Sequence, residues 1–262
     1  MPSTATTCWS STSSSRSPTR SSRSTWCGST SDRHQAQRRT GKDTTLMRIT
    51  IVGAGNMARG IATRALVGGH TVTVTARDPD KAVRLVDELR GQATGEGGIA
   101  TADESAVDTA DIVVLAVPFD AAKQLATAYG VRLTGKVLID ISNPVDASLD
   151  ALVVAPGASA AEEIAEAAAP GTRVVKAFNT TFATTLVAGQ VSGTPLDVFI
   201  AGDDEAARRQ VADLVTSGGL NPVDVGALKH ARELEGFQLL HMALQTREGG
   251  HSWASTVKIV AP

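Results

Sequence analysis

Six consecutive residues constrain this chain more than any others. Gly53-Ala54-Gly55-Asn56-Met57-Ala58 fit the pattern G-x-G-x-x-A and follow directly on apolar Ile49, Ile51 and Val52. That apolar spacing is the signature of a buried strand. Gly53 then permits a tight turn out of the strand, and Gly55 lets the backbone approach a pyrophosphate with no Cβ in the way. Ala58 keeps the following helix close to the sheet. The N-terminus of that helix offers free N–H groups, and its dipole favours an anion. Apolar Met57, Ile61, Ala65 and Leu66 continue the helix, Gly68-Gly69 end it, and Thr71 to Thr75 read as a second strand. A glycine-rich turn alone can be merely structural. The complete strand–turn–helix–strand context favours a nucleotide site.

The exit of the second strand bears on which nucleotide. An NAD site usually places Asp or Glu about 20 residues beyond the glycines, to accept from the ribose 2′-OH. No acid occurs between Gly60 and Ala76, and the strand runs instead through Thr75 and Ala76 into Arg77, with Lys81 a helical turn further on. Two cations there suit a 2′-phosphate and so NADP(H). Two features oppose this: Arg77 could be an ordinary surface charge, and Asp78 could contest the site.

The rest of the chain alternates strands and helices without an internal repeat, which predicts an α/β fold. The expectation is a Rossmann-type, doubly wound, mostly parallel sheet with a smaller C-terminal α/β extension. Residues 47–178 are expected to form the nucleotide-binding domain and residues 179–262 a smaller C-terminal domain. Val83, Val86 and Leu89 mark one face of a helix, and Gly91 to Gly98 read as a glycine-rich loop. Asp111 to Pro118 read as a wholly buried parallel strand. Its exit places Ala116, Val117 and Pro118 at the sheet edge where such folds bind ligands, toward the nicotinamide. A second buried strand, Val137 to Ile141, leads to Ser142-Asn143-Pro144 at the same edge. The Ser-Asn pair either binds ribose or carboxamide or caps the turn. A third strand, Arg173 to Phe178, exits into Asn179-Thr180-Thr181. Leu196 to Ala201 and Pro222 to Val225 read as later strands, Glu205 to Ser217 and His230 to Gln245 as later helices.

The first 46 residues differ from the rest. They hold both cysteines, two of the three tryptophans and seven Lys+Arg against two Asp+Glu, and they lack apolar periodicity. Such a segment buries too little apolar surface to offset its ordering entropy, so it is expected to be disordered. It reads either as an organelle transit peptide or as an extension upstream of a true start at Met47, and the strand directly after Met47 favours the second. The remainder carries 18 basic and 25 acidic side chains, which argues against nucleic acid as a partner. It has no cysteine, and its histidines form no cluster at ligand spacing. His70 reads as structural, His241 as a core or interface residue, and Asp203-Asp204 as a helix start. No metal site is expected. No run approaches about 18 apolar residues, so no membrane span is expected, and the expected location is the cytoplasm.

Together these segments resemble the NADPH-dependent coenzyme F420 reductase family. The likeness rests on GAGNM, ARDPDK, LAVP, SNP, VKAFNT, AGDD and DVG-x-L-x-x-A-R-x-L-E, and it runs from Arg48 to Val260. The cytosolic domain of the six-transmembrane metalloreductases shares a VKAFNT-like segment. The resemblance implies hydride transfer between NADP(H) and a second redox cofactor, coenzyme F420, with no metal or side-chain nucleophile. The family's phosphate loop falls on Gly55, Asn56 and Met57, and its 2′-phosphate Ser-Arg-…-Lys on Ala76, Arg77 and Lys81. The serine is absent here, with Thr75 beside it. Archaeal members carry a histidine near the deazaflavin where this chain has Asn179. No catalytic side chain is assigned. GAGNMA also resembles pyrroline-5-carboxylate reductase, an imine reductase, whose proline-rich strand exit is replaced by KAFNTTF. A non-enzymatic NADP(H) sensor remains a further alternative. The family is generally oligomeric, and the apolar helix carrying Leu239, Leu240, Met242 and Leu244, with Trp253 beyond it, is expected to pack against a second copy, the alternative being that it covers the chain's own sheet.

Overall fold

The computed structural model describes residues 45–93 and 97–260, which belong to one compact unit. The expectations for residues 1–44, with both cysteines, Trp9, Trp26 and His34, lie outside the described residues. β1 (Arg48–Val52) leads through the glycine turn to α1 (Asn56–Val67), then β2 (Thr71–Thr75), α2 (Pro79–Leu89), β3 (Ile99–Thr101), α3 (Ala106–Thr109) and β4 (Ile112–Leu115). α4 (Phe119–Tyr129), β5 (Val137–Asp140), α5 (Ala160–Ala167), β6 (Arg173–Lys176) and α6 (Ala183–Ala188) follow. A small hairpin of β7 (Gln190–Val191) and β8 (Thr194–Pro195) precedes β9 (Asp197–Gly202), α7 (Glu205–Ser217), β10 (Asn221–Gly226) and α8 (Ala231–Thr246).

Eight strands form one sheet in the order β10-β9-β6-β5-β4-β1-β2-β3. All neighbours are parallel except β6 and β9, which meet antiparallel. This is the expected doubly wound Rossmann-type sheet. The strand order reverses between β1 and β4, and ligands bind such folds in the crevice outside that reversal. Ile49, Ile51, Val72 and Val114 face α1, α2 and α7 on one side, while Val113, Leu115 and Leu138 face α4 and α5 on the other. Burying each such side chain contributes about 1.5–3 kcal/mol. Residues 179–262, read from sequence as a smaller C-terminal domain, contribute β9 and β10 to this sheet and the separate two-stranded hairpin of β7 and β8.

Several boundaries move for local reasons. Pro118 is not a strand residue; it caps the N-terminus of α4. β6 ends at Lys176 because Phe178 turns the chain with a φ of 64°. The supposed glycine-rich loop opens instead with a 3-10 turn, Arg90–Gln92. Asp204 caps α7 by accepting from the Ala207 amide at 2.7 Å, and Asp203 accepts from the Leu228 amide at 2.9 Å, so this acidic pair serves helix and loop ends. Among the described residues no helix is long and apolar enough to cross a membrane.

Candidate functional site

The glycine turn is built by close approach. Gly53 has a φ of 119°, and a Cβ there would stand 2.3 Å from the Ala116 carbonyl oxygen. Only glycine fits a position with both constraints. The Gly53 amide donates to the Thr75 carbonyl at 2.8 Å and the Ala116 amide to the Val52 carbonyl at 2.8 Å, which ties the exits of β1, β2 and β4 together. Gly55 differs: its backbone is extended (φ −88°) and a Cβ would meet nothing within 4 Å. α1 starts at Asn56 with no side-chain cap and no acid in its first turn. The amides of Asn56, Met57 and Ala58 therefore lack intrahelical partners, in the arrangement that binds anions. Buried Ala58 presses α1 onto the sheet, and a Cβ at Gly60 would stand 2.7 Å from that of Leu186 in α6.

At the exit of β2, Thr75 is buried and Ala76 half-buried, while Arg77 and Lys81 are exposed. Asp78 caps α2 by accepting from the Asp80 amide at 3.1 Å, and Lys81 Nζ lies 3.9 Å from its carboxylate. The acid that could have met a ribose is thus occupied as a helix cap. Arg77 makes no ion pair among the described residues, so its guanidinium is free to meet an added anion.

Two cavities open along the C-terminal edge of the sheet. The first, of about 470 Å³, is lined by Gly55, Asn56, Met57, Ala116, Val117, Pro118, Asn143 and Pro144, with Phe119, Asp120, Ile141, Ser142, Val145 and Val153. The second, of about 330 Å³, lies between Asn143 and Asn179 and the side chains of Phe182, Thr184, Gln238, Met242 and Trp253. Asn56, Met57, Ile141 and Asn143 line both, so the two spaces adjoin. Of the expected residues, Gly53, Ala54 and Ala58 shape the turn, Thr75, Ala76, Arg77 and Lys81 lie at the β2 exit, and the others border a cavity. The wall of the second cavity formed by Phe182, Gln238 and Trp253 was not expected from sequence.

The polar exits of β5 and β6 lock onto each other. Asn143 Nδ2 donates to the Asn179 carbonyl at 2.9 Å, and Asn179 Nδ2 donates to Asn143 Oδ1 at 3.0 Å. The left-handed φ of Phe178, uncommon for a bulky residue, places Asn179 there. The Thr181 amide and hydroxyl both donate to the Phe178 carbonyl, at 3.1 and 2.6 Å, and hold the turn. Beneath lies a fully buried ion cluster that sequence reasoning missed. Lys176 Nζ donates to Asp140 Oδ2 at 2.8 Å, Glu235 Oε1 at 2.6 Å and the Ser142 carbonyl at 2.6 Å. Glu235 also accepts from the Ala160 amide at 3.0 Å, at the start of α5, and Asp140 Oδ1 accepts from the Ser142 amide at 2.8 Å. Burial pushes the Glu235 carboxyl above its ordinary range against the opposing pull of Lys176. The cluster thus ties β5, β6, α5 and α8 to the loop carrying Asn143.

Two of the histidines take structural places. Buried His70 accepts from the Met47 amide through Nδ1 at 3.2 Å, and its Nε2 meets Ser217 Oγ at 2.8 Å. Buried His241 meets Gln238 Oε1 at 3.2 Å and Ser255 Oγ at 2.9 Å. No group of three or more His, Cys, Asp or Glu side chains able to hold a metal occurs among the described residues.

Comparison with known proteins agrees with this geometry. Residues 48–144 match the family model described as NADP oxidoreductase coenzyme F420-dependent. The chain is 32% identical over 203 residues to the F420-dependent NADP reductase of Methanothermobacter marburgensis, covering 72% of this chain and 88% of that protein. It is also 32% identical over 192 residues to metalloreductase STEAP3 of Rattus norvegicus, covering 73% of this chain but only 36% of that much longer protein. The crystal structure of a candidate F420-dependent NADP reductase from Arthrobacter sp. FB24 superposes with a TM-score of 0.66 at 29% identity, covering 76% of this chain and 93% of that one. The chain belongs to the coenzyme F420-dependent NADP oxidoreductase family.

Proposed function

We propose that this protein transfers hydride between NADP(H) in the first cavity and coenzyme F420 in the second. The observation that carries the reading is the adjacency of the two cavities, which share Asn56, Met57, Ile141 and Asn143 at the strand-order reversal. The free amides of Asn56, Met57 and Ala58 would take the pyrophosphate, for which the open space at Gly55 leaves room. Arg77 and Lys81 would donate to the 2′-phosphate. Ala116, Val117, Pro118 and Pro144 would wall the nicotinamide side, and the Asn143–Asn179 pair would hold the shared boundary.

The bound nucleotide supplies the hydride when reduced; the side chains orient two rings and exclude water between them. NADPH and oxidised F420 take up one proton overall to give NADP+ and reduced F420, and solvent can deliver it. An acid–base side chain is therefore not needed, in keeping with the engagement of His70 and His241 in hydrogen bonds elsewhere.

The direct test adds NADPH to purified protein with oxidised F420 and follows the deazaflavin absorbance. Bleaching is expected. An untouched band combined with NADPH consumption by a cyclic imine would replace this reading with imine reduction, and binding without turnover of F420, flavins, ferric chelates or imines would leave a sensor.

The same proposal extends to assembly and location. Of the helix residues expected at an interface, Leu240 and Leu244 stand exposed with Phe237 along one stripe of α8, Leu240 being 61% exposed, while Leu239 is half-buried and Met242 lines the second cavity; a second copy of the chain would cover the exposed stripe. Light scattering at micromolar concentration is expected to give the dimer mass, and a monomer mass would reject it. The proposed compartment is the cytoplasm, where both small soluble substrates would be at hand.

A further inference from the structure

Among the described residues the chain beyond α8 forms no regular element, yet it is held at several points. Gly249 turns it with a φ of 77°, and a Cβ at Gly250 would stand 2.4 Å from the Gln245 carbonyl oxygen. Ser255 Oγ accepts from Gln245 Nε2 at 2.9 Å and meets His241 Nε2 at 2.9 Å. Further on, Lys258 pairs with Asp197 of β9, and the Ile259 amide donates to the same carboxylate at 2.8 Å. The segment is a strap that brings Trp253 to the second cavity.

Trp253 is the residue this strap presents. Its amide donates to Gln245 Oε1 at 3.1 Å, and its carbonyl accepts from the Thr184 hydroxyl at 2.9 Å. Ser252 and Trp253 both have positive φ, 50° and 60°. Two successive non-glycine residues in that region are costly and persist only where their surroundings enforce them. The result is an indole edge-on to the Phe182 ring, with centroids 5.2 Å apart and planes at 81°. It lines the cavity yet stays 38% exposed. On α8, Gln238, 1% exposed, also lines the cavity. One end of its amide meets His241. The other end has no partner among the described residues.

We propose that Trp253 is the stacking wall of the acceptor site and Gln238 its polar contact. Together they select a planar heteroaromatic acceptor with a hydrogen-bonding edge over a small imine or carbonyl compound. A flat apolar face with one free polar group matches such a ring, whereas a small substrate would leave the indole uncovered. The hydride chemistry rests on the function proposed above; the binding does not.

Trp253→Ala in the full chain tests this, because the strap's hydrogen bonds at that position come from the backbone and survive truncation of the side chain. The 8-hydroxy-5-deazaflavin chromophore is the probe. Its KM should rise about tenfold, the size expected for loss of one stacking face, while KM for NADPH stays within twofold. Trp253→Phe should restore most of the loss and Trp253→Leu should not. In a chain with Trp9 and Trp26 replaced by Phe, emission from Trp253 should be quenched saturably by the chromophore in the presence of NADP+. Unchanged KM in both Trp253→Ala and Trp253→Leu, or absence of saturable quenching, would overturn the assignment. Quenching without reduction of the chromophore would uphold the stacking wall and reject the hydride-transfer reading instead.

Discussion

Asn143 and Asn179 each spend an amide nitrogen on the other, Asn143 on a backbone carbonyl and Asn179 on a side-chain oxygen. The pair bridges the exits of neighbouring strands β5 and β6 at the boundary between the cavities. Removing either side chain leaves an unpaired group on buried Asn179 or half-buried Asn143, which costs about 1–3 kcal/mol. Asn179→Leu is expected to slow hydride transfer to the acceptor more than it weakens NADPH binding, since Asn179 borders only the second cavity. Single-turnover kinetics beside equilibrium nucleotide binding decides this. A double-mutant cycle with Asn143→Ala should show strong coupling, and additive losses would mean that the two side chains act separately.

The two glycines of the turn should respond in opposite ways to the same change. Gly53→Ala puts a Cβ 2.3 Å from a backbone oxygen at a φ of 119°, so the chain must shift or unfold. Its denaturation midpoint should fall steeply. Gly55→Ala meets no atom within 4 Å and an ordinary φ, so stability should change by less than about 1 kcal/mol. Nucleotide binding should nevertheless be lost, because the new methyl occupies the approach of the pyrophosphate. A Gly55→Ala protein that binds NADPH normally would move the phosphate site elsewhere.

Cofactor choice should turn on Arg77. Asp78 is occupied as the cap of α2, and Arg77 has no ionic partner among the described residues. Arg77→Ala should weaken NADPH binding by about 1.5–3 kcal/mol, the worth of a hydrogen bond to a charged group, and barely alter NADH. Calorimetric titration with both nucleotides gives the comparison. Equal losses would remove Arg77 from the 2′-phosphate site.

The first cavity was legible in the sequence because its residues follow strands directly. Gly53 to Ala58, Ala116 to Pro118 and Asn143-Pro144 sit at strand exits, and a parallel sheet brings all such exits to one edge. The second cavity was not. Phe182, Gln238 and Trp253 come from a strand exit, a helix and an irregular strap, and only the tertiary fold brings them together. α6 has six residues and β3 three, too short for either to show a period. Lys176 was read as a strand residue because nothing in VVKAF reveals that its charge points into two buried carboxylates. The Trp253 strap carries no periodic signal at all, since its conformation is set by Gln245 and Thr184.

Stability should fall on mild acidification through His70. Its Nδ1 accepts from the Met47 amide, which requires the neutral ring, and burial depresses its pKa below 6.5. The unfolded chain therefore binds the proton first as pH falls. The contribution is fully present above about pH 6.5 and is lost as pH falls through the window down to the depressed value. Denaturant midpoints should drop across that window, and His70→Gln should flatten part of the slope. His241, depressed in the same direction by burial, supplies another part. A slope identical in His70→Gln would show that His70 does not titrate on unfolding.

The buried cluster should be the most sensitive place of all. Lys176 is fully buried and faces two carboxylates that are also fully buried. Lys176→Met removes the cation and leaves Asp140 and Glu235 without it, so the loss should be about 3–5 kcal/mol, the cost of breaking a buried pair from one side. Glu235→Gln should cost less, because its amide can still accept from Lys176 and Asp140 remains to balance the charge. Lys176 also donates to the Ser142 carbonyl, and so steadies the loop that carries Asn143. The surviving fold of Lys176→Met should therefore also bind NADPH more weakly, with the loss tracking disorder in that loop. Hydrogen exchange at the amides of residues 142–145, measured at a temperature where the variant remains folded, should be faster than in the native chain. Unchanged exchange there, with stability reduced as expected, would confine Lys176 to the core and remove it from the site.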